Sequence, residues 1–185
     1  MKSALIVIDV QKSFVHRPYW SNDDAPEFLT RLQRLVDQCA AHDIPALQVF
    51  HVDSCDPADP FSRESGLIET LPPLRLEPQA VFQKSVHSAL FARDSGGVAL
   101  HDWLQARRIE RLIISGIRTE QCCETTARHA SDLGYKVTYV MDATLTFAME
   151  SKAGRRFTPG EIKERTELVL AGRFAEVVRS EAMQW

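Results

Sequence analysis

The sequence predicts an α/β fold in which a parallel sheet is covered by helices on both faces. Three observations carry this. Apolar, β-branched runs of strand length recur along the chain, beginning with Ala4-Leu5-Ile6-Val7-Ile8. Segments with helical periodicity separate these runs. The longer connections are polar and proline-bearing, and none has the composition of an interdomain linker. Strands that alternate with helices pair in parallel through right-handed crossovers. A chain of 185 residues suits one compact domain, taken as 1–185.

The elements follow in order. Residues 4–8 are apolar throughout, as in a strand buried on both faces. A loop follows that holds Pro18, Trp20 and Asn22. Pro26 opens a helix reaching about residue 42, with Phe28, Leu32, Leu35 and Val36 on one side. Pro45 separates it from a second strand, 46–52. Residues 53–79 form a polar connection punctuated by Pro57, Pro60, Pro72, Pro73 and Pro78. A connection this long inside a compact domain is usually functional. Residues 80–83 are a short strand. A helix at 98–106 leads to a strand at 111–115, which Gly116 is expected to end. A helix from about 120 to 133 stops at Gly134. Residues 136–141 are a strand, 142–160 a second polar connection, 161–171 a helix, and 175–178 the last strand.

Charge and composition exclude several classes. The formal net charge of −3 gives no electrostatic reason for a nucleic-acid or anionic-membrane partner. No stretch approaches the roughly 20 apolar residues that span a bilayer. The run 4–8 is too short for a signal-peptide core, and Asp9 interrupts it. The expected location is cytoplasmic. Cys39, Cys55, Cys122 and Cys123 lack a metal-finger spacing and read as free thiols in a reducing compartment.

In parallel α/β sheets, ligands bind beyond the carboxyl ends of the strands. Asp9 follows the first strand, Lys84 the third, and Cys122 the strand that ends near Gly116. Alone, each has a bland reading: a turn or cap for the aspartate, a solvated amine for the lysine, a small buried residue for the cysteine. Together they form a workable nucleophilic centre. A thiol attacks once it loses its proton, which Asp9 can accept and later return. Lys84 and the helix N-terminus near residue 120 would favour a thiolate. Free N–H groups in that first turn could bind an oxyanion.

Motifs around these residues resemble the isochorismatase-like cysteine hydrolases. Gly116-Ile117-Arg118-Thr119-Glu120-Gln121-Cys122 is similar to their nucleophile motif of Gly, two residues, Thr, an acid, one residue and Cys. Leu5-Ile6-Val7-Ile8-Asp9-Val10-Gln11, with Phe14, resembles a strand ending in Asp-x-Gln. Lys84-Ser85-Val86-His87-Ser88-Ala89 resembles their lysine motif. Tyr135-Lys136-Val137, Asp142-Ala143 and the closing Phe174-Ala175-Glu176-Val177-Val178 extend the likeness over nearly the whole chain. The resemblance implies a three-layer, Rossmann-like fold with a six-stranded parallel sheet. It implies a catalytic triad of Asp9, Lys84 and Cys122, and a cis peptide before Arg118, with the amides of Arg118 and Cys122 as oxyanion hole. It implies a small-molecule substrate and a homodimer or homotetramer.

Departures and remaining residues complete the reading. Glu120 stands where Asp is more usual, and Arg118 where the residue is often small. The Arg118 side chain reaches either the substrate or an ion-pair partner. Gln11, Phe14, Trp20 and His87 are candidate pocket residues, with core or interface packing as the alternative for Trp20. Nicotinamidases of this superfamily hold zinc through an Asp-x-His pattern after strand two. The matching stretch here is Asp53-Ser54-Cys55-Asp56, with Cys55 in place of the histidine, and no His before Lys84 completes the set. Metal and cofactor are therefore not expected; His51, Asp53 and Cys55 are most simply polar loop groups, and the sequence leaves open whether they are only structural. The leading expectation is an amidase-like hydrolase that cleaves a C–N bond through a covalent acyl-enzyme. Its alternatives are vinyl-ether hydrolysis of the isochorismatase type, a nicotinamidase, and a non-catalytic hydrolase-fold scaffold.

Overall fold

The computed structural model describes residues 1–185. In chain order its main elements are β1 (Ser3–Ile8), α1 (Ala25–Ala41), β2 (Ala46–His51), β3 (Ala80–Lys84), α2 (Leu100–Ala106) and β4 (Arg111–Ile117). They continue with α3 (Glu124–Asp132), β5 (Lys136–Leu145), β6 (Met149–Glu150), β7 (Arg156–Phe157), α4 (Pro159–Leu170) and β8 (Glu176–Val178). No helix is long and apolar enough to cross a membrane.

β1 divides the core in two. Alternate side chains of a strand face opposite ways. Ala4, Ile6 and Ile8 join one apolar layer with Trp103 and Leu104 of α2, Ala127 and Ala130 of α3 and Leu170 of α4. Leu5 and Val7 join the other, with Phe28, Leu32 and Leu35 of α1. Both faces of β1 are dry, which is why its run carries no polar residue. Each fully buried Leu, Ile or Phe contributes about 1.5–3 kcal/mol.

The sheet has six parallel strands in the order β3-β2-β1-β4-β5-β8. With helices on both sides it is the expected three-layer α/β/α, Rossmann-like architecture. The chain winds outward from β1 to β3, returns to place β4 beside β1, then winds out the other way. That reversal opens a crevice at the carboxyl ends of β1 and β4.

The structure corrects five local expectations. Gly116 does not end β4. The strand runs to Ile117, and its pairing with β5 shifts register between Ile114 and Gly116. At φ 130° a Cβ on Gly116 would sit 2.0 Å from the Ile8 carbonyl oxygen, so glycine is what lets β4 approach β1 there. β5 runs on to Leu145 because its later residues pair with β4 beyond that shift. The 142–160 connection contains a small β6–β7 hairpin. Finally, α3 begins at Glu124 rather than 120, after a wider turn described below. α4 starts at Pro159 because Thr158 and Glu161 form a capping box: each side chain accepts the other's backbone N–H, at 3.2 Å and 2.8 Å.

Candidate active site

The three strand-end residues meet. Asp9 follows β1 in the left-handed region, at φ 55°, and is fully buried. Lys84 ends β3, and its ammonium points inward. It donates to Asp9 Oδ2 at 2.7 Å, His51 Nδ1 at 2.8 Å and Cys122 Sγ at 3.5 Å. An ammonium has three hydrogens and no acceptor. The three neighbours therefore satisfy it, and His51 Nδ1 must be a lone pair. His51 Nε2 then carries the hydrogen, which it directs at Asp53 Oδ2, 3.0 Å away. Burial and the Lys84 charge lower the imidazole pKa from 6.5, in keeping with a neutral ring.

Cys122 lies in a wide turn, Thr119–Cys123, closed by the Cys123 N–H on the Arg118 carbonyl five residues back at 3.2 Å. The extra residue swings Cys122 toward the crevice before α3 begins. Thr126 holds the turn: its hydroxyl donates to the Cys122 carbonyl at 2.6 Å and accepts the Ala89 N–H at 2.9 Å. Ser88 Oγ meets His129 Nδ1 at 2.8 Å. The Ser-Ala that follows the lysine motif thus ties β3 to the nucleophile helix.

The peptide before Arg118 is cis, as the resemblance implied. The Arg118 N–H makes no hydrogen bond within the protein. The thiol departs from expectation. Burial, then the Asp9 charge, pushes the Cys122 pKa well above its usual value, and Lys84 only partly offsets this. Burial and Asp9 thus favour the thiol, against the push toward a thiolate expected from the lysine and helix terminus. Burial alone would lower Lys84, but Asp9 and Cys122 raise it overall and keep the ammonium charged.

A cavity of about 140 Å³ opens onto Asp9, His51, Asp53 and Cys122, walled by Phe14, Arg17, Tyr19, Phe61, His87 and Gln121. A groove of about 910 Å³ outside β3 meets Lys84 but neither Asp9 nor Cys122. One ligand atom each from Asp9, His51 and Cys122 lie within 4.8 Å of one another, the one cluster with metal-like spacing. All three hydrogen-bond to the Lys84 ammonium, so a cation already occupies their centre and the set does not fit a metal ion. Cys55 is exposed and outside the cluster.

A model of the isochorismatase domain matches residues 3–155. The chain belongs to the isochorismatase family of hydrolases. Within this family it is 21% identical over 184 residues to the protein YrdC of Bacillus subtilis (strain 168), covering 98% of this chain and 94% of that one. It is 26% identical over 162 residues to Nicotinamidase 3 of Arabidopsis thaliana, covering 80% and 75%. An isochorismatase from Pseudomonas putida KT2440 superposes with a TM-score of 0.81 at 28% identity, over 98% and 90% of the chains.

In this family member, Phe14 and His87 reach the cavity as expected, and three other candidates do not. Gln11 is buried as a splint: its amide accepts the His51 N–H at 2.8 Å and donates to the His51 carbonyl at 3.0 Å. Trp20 packs on Phe147, its indole donates to Asn22 at 2.8 Å, and it lines a separate cavity of about 400 Å³. The Arg118 guanidinium pairs with Glu120 at 2.9 Å and lies over the Tyr19 ring, 4.8 Å from its centre. Both ends of that pair are nearly buried, which keeps the cation from the cavity. Arg17, Tyr19, Phe61 and Gln121 are not among the sequence candidates, and His51 and Asp53, whose role the sequence leaves open, line the cavity. His51 carried a signal: it ends β2 opposite Lys84 in the β2–β3 register. Applied to β2, the strand-end rule points to it.

Proposed function

We propose that the chain is a cysteine amidase that cleaves the C–N bond of a small amide, with Cys122 as nucleophile, Asp9 as proton carrier and Lys84 as fixed counter-charge. The observation that carries this reading is the division of labour on Asp9. Oδ2 is held by Lys84, while Oδ1 is buried and has no hydrogen-bond partner. An unengaged carboxylate oxygen beside a protonated thiol is placed to take its proton.

Asp9 accepts the thiol proton as sulfur bonds to the amide carbon, and the carbonyl oxygen becomes an oxyanion. The Arg118 N–H, unengaged in the protein, and the Cys122 N–H stabilise that charge. Asp9 returns the proton to the departing nitrogen, the C–N bond breaks, and the amine leaves. Water then attacks the thioester, giving its proton to Asp9, and the thiol re-forms with the acid as product. General-base transfer contributes about 10²–10⁴-fold, and an oxyanion donor about 10²–10³-fold.

The cavity walls indicate the substrate class. At about 140 Å³ the cavity is the smallest of those described above. The aromatic walls suit a small, flat amide. The likeness to a nicotinamidase supports a C–N bond. Vinyl-ether hydrolysis needs no nucleophilic thiol, so Cys122 at the centre of the network favours the amide. The test is a screen of small primary amides for ammonia release. We expect Cys122→Ala and Asp9→Asn each to lose about 10³-fold or more of the turnover found for the unmodified chain. Full turnover by Cys122→Ala would refute the mechanism.

A further inference from the structure

Lys84 sits at the end of a long flexible stem, yet its ammonium must stay between a carboxylate and a thiol through every step. Asp9 and Cys122 account for two of its hydrogens. The third goes to His51 Nδ1 at 2.8 Å, nearly as short as the bond to Asp9. His51 is itself held on several sides. Gln11 bonds both its backbone N–H and its carbonyl. Asp53 Oδ2 takes the Nε2 hydrogen at 3.0 Å. The Phe61 ring stands edge-on, 5.9 Å away between centres. A carboxylate that engages one ring nitrogen fixes the tautomer and leaves the other nitrogen as an acceptor.

We propose that His51 is a positioning residue whose unprotonated Nδ1 anchors the Lys84 ammonium against Asp9 and Cys122, with Asp53 locking the ring. This rests on the reading of Cys122, Asp9 and Lys84 as the working groups. A proton on Nδ1 would turn an N–H toward the ammonium and release the lysine. The charged and titratable groups that face the ring are Lys84 from β3, Asp9 beyond β1, Asp53 on its own loop and Cys122 from the turn before α3. Arg17 and His87 line the same cavity. Burial and Lys84 oppose protonation of the ring, and Asp9 and Asp53 favour it. The net lowering keeps the anchor intact at neutral pH and lets it fail on acidification.

The experiment uses the full chain and iodoacetamide, itself a small primary amide, and needs no known substrate. Peptide mass mapping follows alkylation of Cys122, with the exposed Cys55 as internal reference. In the unmodified chain the Cys122 rate, read as its ratio to that of Cys55, should show an acid-side fall whose midpoint lies below 6.5. His51→Leu should slow Cys122 about tenfold at pH 7.5 and leave Cys55 unchanged. His51→Asn places an amide oxygen near the Nδ1 position. It should stay within about threefold of the unmodified rate yet lose the fall between about pH 6.5 and 5. Asp53→Ala, on a half-exposed side chain, should slow Cys122 by about threefold. In a background of Asp9→Asn with Lys84→Met, which leaves no charge alone in the core, His51→Leu should change the rate less than about twofold.

Equal slowing in that background would mean that His51 acts on the fold rather than through Lys84, and would overturn the proposal. So would His51→Leu reacting within twofold of the unmodified chain while Lys84→Met is slow; the triad reading would then survive alone. If Asp9→Asn and Lys84→Met each leave the Cys122 rate at that of the unmodified chain, the triad reading falls and the role of His51 with it.

Discussion

Two buried cation–carboxylate pairs flank the Cys122 turn, and they differ in where their hydrogen bonds lead. Lys84 and Asp9 have side chains with no exposure, and Arg118 and Glu120 are 9% and 10% exposed. By burial alone the two look alike. Yet the Lys84 ammonium converges on the thiol and on His51. The Arg118 guanidinium turns away: it pairs with Glu120, which also accepts the Thr146 hydroxyl at 2.5 Å, and it lies over the rings of Tyr19 and Phe147. Its Nε is buried without a partner. The first pair is aimed at a reacting atom, and the second holds a wall. A buried charge marks chemistry only when its neighbours converge on a group that reacts.

The largest expected effect breaks the first pair. Lys84→Met leaves the Asp9 charge alone in the core and should cost about 3–5 kcal/mol in urea unfolding, with turnover lost. Gly116→Ala comes next, because Gly116 packs on Ile8, the residue before Asp9, and lies two residues before Arg118. Its Cβ would meet the Ile8 carbonyl at 2.0 Å. A loss of about 3–4 kcal/mol should appear as a lower thermal midpoint. The second pair should behave differently. Arg118→Met should cost about 2–3 kcal/mol by stranding Glu120, but should change turnover less than about tenfold, since any residue there keeps the amide. Removing both partners, as Arg118→Met with Glu120→Leu, should recover most of that stability. A turnover collapse in the double variant would place the guanidinium in the site after all.

The smallest effect is a pH dependence. The His51 pKa is lowered in the folded chain. As pH falls below 6.5, the unfolded chain takes up a proton that the folded chain refuses. Stability therefore drops as pH falls from 6.5 through the folded pKa. His51→Asn should lose less stability than the unmodified chain between pH 7.5 and 5, in urea titrations at each pH.

Much of this was legible because Asp9, Lys84 and Cys122 stand where apolar runs stop, and a parallel sheet gathers strand ends on one edge. The helices and strands followed from periodicity and from Pro26, Pro45 and Gly134. His51 was missed because its meaning lies in register: only pairing of β2 with β3 sets it opposite Lys84. Arg17, Tyr19 and Phe61 come from loops with no period, placed by contacts such as Arg17 with Asp59 at 3.3 Å. The wide turn at Cys122 was invisible because one extra residue barely disturbs a helical pattern. The thiol was expected to be acidic because charge is written in sequence, whereas the burial that outweighs it is not.

The central claim is that Cys122 bonds to the acyl group of a small amide. Intact-mass and peptide mapping of the chain, quenched in acid during turnover of an amide found by the ammonia screen, tests it most directly. The account predicts an added acyl mass on the peptide bearing Cys122, absent in Cys122→Ala and accumulating when Asp9→Asn slows hydrolysis. Steady turnover with no adduct on Cys122, together with an active Cys122→Ala, would contradict it.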